Sequence, residues 1–249
     1  MLGRICWLAT VLALLPATAH AAEADRALSA RPLSMLLLLG ALSLVPFVLV
    51  MTTSFVRISV VLSILRSALG TPQVPPTIVI TGLAVILTVY VMAPTGNKVV
   101  EAVQPVVSTG AGQGLLSAGG AEAVYQAALR AREPVREFLV QHSSPRDRAM
   151  FRDLARRMRP PAQRDAVGDR DLLVVVPAFV IGELAAAFQI GFLLFVPFLV
   201  VDMVVANILL ALGMHMLSPT TVSLPFKLLL FVLADGWHLL TQGLVLAYA

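Results

Sequence analysis

From Leu172 to Ala249 the chain is almost wholly apolar, and the charges that interrupt it, Glu183, Asp202, Lys227 and Asp235, stand singly along the run. An ionised group at the centre of a bilayer costs on the order of 2.5–3.5 kcal/mol, so such residues face a partner or a wet cavity. The pattern predicts a polytopic membrane protein whose helices are interior to something. Punctuation divides the block into a helical hairpin, Leu172–Gly191 with Phe192–Leu217, then a break at Ser218-Pro219 and a last helix over Leu224–Tyr248 interrupted at Asp235-Gly236. Gly182 and Ala186 offer one small-xxx-small contact for close helix approach.

Upstream, Leu33–Met51 is a 19-residue apolar run with a kink expected at Pro46. Phe55, Ile58, Leu62, Leu65 and Leu69 then recur at spacings of three and four, which predicts one helix ending at Gly70. A return span follows over Ile78–Met92. Arg57 and Arg66 are nine residues apart and are placed on a common side of their helix, as interfacial snorkelling cations or with a specific role. The segment Met1–Arg4, Ile5–Leu15 and Ala19-His20-Ala21 has the basic start, apolar core and A-x-A end of a signal peptide. The mature chain is therefore expected to begin outside the cytoplasm, and the positive-only loop around Arg57 and Arg66 to lie inside.

Between the apolar blocks, Asn97–Asp171 is polar. Ser108–Gly120 holds five glycines in thirteen residues and reads as a flexible connection. Helices follow: one with Val124, Ala128 and Leu129, a second opened by Pro134 and carrying Val135, Phe138 and Leu139, and a third capped at Ser144-Pro145-Arg146-Asp147. In that cap the Ser144 hydroxyl is available three residues on and the Asp147 carboxylate can reach back. Met150, Leu154 and Met158 make the third helix amphipathic, and Pro160-Pro161 ends it. The fold class expected is an all-α membrane protein: helical hairpins with an inserted small helical extracytoplasmic domain. Its divisions are 1–21 signal peptide, 22–96 N-terminal hairpin region, 97–171 polar periplasmic domain, and 172–249 C-terminal hairpin with last helix.

Composition agrees, with 58% hydrophobic and 13% charged residues where a soluble domain holds about 25% charged. The sequence pI near 9.8 does not point to nucleic acid. Eleven of the 18 basic residues fall between Arg130 and Arg170, interleaved with eight acids between Glu122 and Asp171, which is a solvated helical face. Cys6, the only cysteine, lies within the expected signal peptide, so the mature protein is expected to hold neither a disulfide nor a thiolate metal site.

Catalytic chemistry finds no residues to carry it. HExxH, a nucleophile elbow and a Walker loop are all missing from the sequence. Asp202 and Asp235 lack the glycine-preceded setting of intramembrane aspartyl proteases. His142, His215 and His238 are far apart and read as packed or interfacial histidines. Neither catalysis nor a cofactor nor a metal site is expected.

The stretches Thr53–Pro76 (TSFVRISVVLSILRSALGTPQVPP), Pro177–Phe192 (PAFVIGELAAAFQIGF), Pro197-Phe198 with Asp202, and Ser223–Trp237 (SLPFKLLLFVLADGW) resemble the FliP/SctR family of type III secretion export-gate proteins. The resemblance runs from about Leu33 to the end and leans toward the injectisome branch in Asn207–Met214 and the tail. It implies a core subunit of the gate through which unfolded proteins are exported, in flagellar or virulence systems. It also implies a homo-oligomeric ring joined by FliQ/SctS-like and FliR/SctT-like subunits in the bacterial inner membrane, a ring lifted largely above the membrane plane. Glu183 and Lys227 would then stand at inter-subunit contacts, and Met214, His215 and Met216 at a sealing constriction where the family carries methionines. Arg57, Arg66, Asp202 and Asp235 remain further structural polar candidates. The rival class is a polytopic secondary transporter with an intramembrane ionisable site, although the repeated halves such transporters show are absent from the sequence.

Overall fold

The computed structural model describes residues 32–71, 75–110 and 118–249, and the expected signal peptide lies outside them. Every regular element described is helical. In order these are α1 (Pro32–Met51), α2 (Phe55–Ala68), α3 (Thr77–Gly110), α4 (Ala118–His142), α5 (Pro145–Arg157), a 3₁₀ turn (Pro161–Gln163), α6 (Leu172–Ala211), α7 (Pro219–Leu233) and α8 (Gly236–Leu246). They fall into two compact units, one formed by residues up to Phe47 with Val103–Leu129, the other by Val48–Ala102 with Arg130–Ala249. In the first unit the N-terminal part of α1 and the N-terminal half of α4 expose apolar side chains, among them Leu44, Phe47, Tyr125 and Leu129. The second unit holds the principal core.

At the centre of that core is α2. Its stripe of Ile58, Leu62, Leu65 and Leu69 is buried as the three-and-four spacing predicts, and Ile80 and Ala84 of α3, Ala187 and Phe198 of α6, Phe231 of α7 and Leu240 and Leu244 of α8 close around it. The helix stops where expected. Leu69 caps it, and Gly70 follows at φ +74°, a left-handed conformation that glycine adopts without steric cost. A smaller cluster joins Phe138 and Leu139 of α4 to Val175 and Phe179 of α6.

Where a hairpin was expected at Gly191-Phe192, α6 is a single helix of 40 residues. The glycine there serves packing, not turning. A Cβ at Gly191 would collide with the side chain of Ile64, so its absence is what lets α6 and α2 approach. The small pair at that approach is Ala187 and Gly191, not Gly182 and Ala186, since Gly182 faces Asp147 of α5 instead. Pro177 and Pro197 lie inside α6 without ending it, as apolar helices with packed neighbours tolerate. Pro134 likewise lies within α4 and does not open a new helix.

Other boundaries match their local chemistry. Ser144 caps α5, although its hydroxyl accepts from Arg146 N at 3.3 Å, one residue earlier than the capping box requires. Between α7 and α8 the chain bends by 61° at Asp235, which has φ +49°, and Gly236 makes room for the Phe231 ring. The return span is longer than Ile78–Met92 and passes residue 97 unbroken as α3. Residues 108–110 and 118–120 of the expected flexible connection are helical, and 111–117 lie outside the described residues. Among the described residues two stretches, Thr77–Val106 and Leu172–Ala211, are long and apolar enough to cross a membrane, or up to four if bent helix pairs count as one span each.

Candidate functional site

Two buried charge centres lie in the second unit, and each closes within the chain. In the first, Arg57 of α2 donates from Nη2 to Glu183 Oε1 of α6 at 2.6 Å, with the carboxylate 0% and the arginine side chain 12% exposed. Tyr248, two residues beyond α8, donates its hydroxyl to the other carboxylate oxygen, Oε2. The Tyr248 ring lies 4.6 Å from the Arg57 guanidinium carbon, is nearly parallel to Phe138 at 6.3 Å, and is 5.2 Å from His142. A carboxylate so enclosed is tolerable because both its oxygens are hydrogen-bonded and a cation faces it.

The second centre is built around Lys227 of α7. Its ammonium lies 2.6 Å from Asp202 Oδ2 on α6 and donates to the Ala68 carbonyl at 3.1 Å. Ser223, one turn before Lys227, donates to Asp202 Oδ1 at 2.5 Å and so fills the other oxygen. The Ala68 carbonyl belongs to the last turn of α2, where unpaired carbonyls and the helix dipole favour a cation. Gly70 lies beside the same ammonium, 3.6 Å from where a Cβ would be. Lys227 thus ties the end of α2 to α6 and α7.

Glu183 and Lys227 are therefore satisfied separately, by partners the sequence did not single out for them. Arg57 and Arg66 do not share a side: nine residues at about 100° each is two and a half turns, and Arg66 points instead to the Thr77 hydroxyl at 2.7 Å. Asp235 serves the α7–α8 bend, where its carbonyl accepts from His238 N and Leu239 N at 3.1 Å. Met214, His215 and Met216 sit together in the loop after Gly213, which has φ +71°, and all three are exposed. Among the described residues no group of three His, Cys, Asp or Glu side chains is placed to hold a metal ion.

Tyr248 was missed from the sequence. A lone tyrosine at the end of an apolar tail carries only one signal, a phenol that requires a partner when buried.

Residues 38–244 match the FliP family. The chain belongs to the FliP family. It is 44% identical over 216 residues to the Yop proteins translocation protein R of Yersinia pestis, covering 87% of this chain and 96% of that one. To the hypersensitivity response secretion protein HrcR of Ralstonia nicotianae it is 42% identical over 215 residues, 86% of this chain and 96% of the other. The flagellar biosynthetic protein FliP of Bacillus subtilis is 41% identical over 215 residues, 86% and 90% of the two chains. The FliP family match spans the Arg57–Glu183 and Lys227–Asp202 pairs and the methionine loop, while Tyr248 lies beyond it.

Proposed function

We propose that this FliP family member, a membrane component of a type III secretion export apparatus, is a core subunit of the export gate and forms with partner subunits the channel through which unfolded proteins leave the cell. The observation that carries the channel reading is the loop following α6. It holds Met214, His215 and Met216 outside the core, with Met216 fully exposed, at the end of a 40-residue apolar helix. Methionines are suited to sealing a bore because the unbranched thioether repacks around irregular neighbours. His215 at the middle of the loop adds a titratable group to that seal.

The gate is read as a homo-oligomer that joins FliQ/SctS-like and FliR/SctT-like subunits in the bacterial inner membrane. The N-terminus of the mature chain and the polar domain then face the periplasm. Large exposed apolar surfaces on α3, α6 and α7 support the membrane-embedded, multi-subunit part of this reading, since lipid or neighbouring subunits must cover them. Glu183 and Lys227 contribute to inter-subunit contacts by fixing the spacing of α2, α6, α7 and the tail. No chemistry of its own is assigned to the subunit. A secondary transporter gains no support, because both buried charges are already spent on partners in the chain.

The test is co-expression with the two partner subunits, mild-detergent extraction and native mass spectrometry. A single complex holding several copies of this chain with both partners is expected. A monodisperse monomer under those conditions overturns the reading.

A further inference from the structure

Helix α5 carries its stripes the wrong way round for a helix packed on a core. Arg148, Arg152 and Arg156, spaced by four, turn toward the rest of the fold. Arg148 Nη1 donates to the carbonyls of Val140 at 2.5 Å and Ser143 at 2.9 Å, and to the Ser143 hydroxyl at 3.0 Å. Arg152 meets Asp169 at 2.7 Å, and Arg156 Nη2 donates to the Val167 carbonyl at 3.5 Å. Met150, Leu154 and Met158, also spaced by four, point outward, and Met158 is 87% exposed. The apolar stripe expected to seat this helix is instead its outer face. Exposed apolar side chains in one contiguous row mark a surface that something covers.

The rim of the stripe indicates what covers it. Arg146 and Arg157 are eleven residues apart, hence nearly in line along the helix, and both are exposed beside the stripe. Neither makes an ion pair among the described residues. Arg157 and Arg164 also border a polar hollow of about 290 Å³ with Asp153 and Arg156. The one acid in that row of arginines, Asp153, is drawn to Arg152 at 3.6 Å. Apolar side chains margined by unpaired guanidinium groups complement an anionic bilayer surface, where outer acyl carbons receive the methionines and leucine and lipid phosphates receive the arginines. A second copy of the same stripe would set these arginines against their own counterparts.

The position of α5 allows this. Asp147, in its first turn, lies against Gly182, ten residues into α6. The 40 residues of α6 extend about 60 Å, and a bilayer's hydrocarbon takes about 30 Å of that. The end of α6 that α5 flanks therefore need not lie in hydrocarbon.

We propose that in the subunit outside its complex α5 rests on the anionic membrane surface through Met150, Leu154 and Met158, held there by Arg146 and Arg157. The proposal rests on the export-gate reading only in taking the chain as membrane-embedded. It is tested on the full chain with Cys6→Ser and a spin label at Leu154→Cys, in nanodiscs of phosphatidylcholine alone or of equal parts phosphatidylcholine and phosphatidylglycerol. With phosphatidylglycerol the label's ratio of oxygen to nickel-chelate accessibility should rise several-fold, and Arg146→Gln with Arg157→Gln should abolish the rise while helical circular dichroism stays unchanged. A label in water in both lipids overturns the proposal. So does a label protected in both with spin–spin broadening, which assigns the face to a second copy, or a rise that survives loss of the arginines. Any of these leaves the co-purification test of the gate untouched.

Discussion

Arg57 and Glu183, 126 residues apart in sequence, meet at 2.6 Å where the carboxylate has no access to solvent. Their contact joins α2 to α6 beside the point at which the tail returns through Tyr248. Removing one partner of a buried pair leaves an uncompensated charge, at a cost of roughly 3–5 kcal/mol. Arg57→Ala should therefore destabilise the detergent-solubilised chain by that order, measured by denaturant unfolding. Arg57→Met with Glu183→Leu and Tyr248→Phe should recover most of the loss, because the apolar set leaves neither a charge nor the Tyr248 hydroxyl unpaired. A triple variant as unstable as Arg57→Ala alone would contradict the direct pairing.

The second charge centre makes a contrasting prediction. Lys227 is bonded to Asp202, not to Glu183. Lys227→Asp with Asp202→Lys should restore part of the secretion and complex yield that either single change removes. Lys227→Glu with Glu183→Lys should restore none. Recovery by the second exchange and not the first, scored by secretion and native gels, would reverse the assignment.

What the sequence made legible was local. The end of α2 at Gly70, the start of α5 at Ser144-Pro145 and the bend at Asp235-Gly236 are each written in a few adjacent residues whose backbone preferences force a break. Gly191 was read by the same logic and failed. A glycine admits either a turn or a close helix contact, and only the distant Ile64 decides which.

The candidate site was half legible for a similar reason. Isolated ionisables in apolar helices announce themselves, so Glu183, Lys227, Asp202 and Arg57 were all named. Their pairing was not, because Arg57 with Glu183 and Lys227 with the end of α2 are joined by tertiary packing across more than a hundred residues. On α5 the apolar period was legible but its direction was not. Arginines that find backbone carbonyls and Asp169 can face inward, which a hydrophobic stripe cannot foretell.

Close approach of α2 and α6 gives a third prediction. Gly191→Val should destabilise the chain by about 1–3 kcal/mol, since the new side chain overlaps Ile64 in a packed core. Ile64→Ala in the same chain should relieve the clash and recover part of the loss. If Gly191→Val unfolds at the same denaturant concentration as the wild type, the close contact is not present in solution.

That Met214, His215 and Met216 line the export channel is tested most directly by the conductance of the purified, assembled complex in a planar bilayer. The wild-type complex should hold the bilayer tight to small ions. Replacing all three residues by glycine removes the side chains that fill the closed bore and should give a steady ion current, while His215→Met, which keeps an apolar and adaptable side chain, should stay closed. A triple-glycine complex that assembles fully and remains as tight as the wild type would contradict the channel-lining role of this loop.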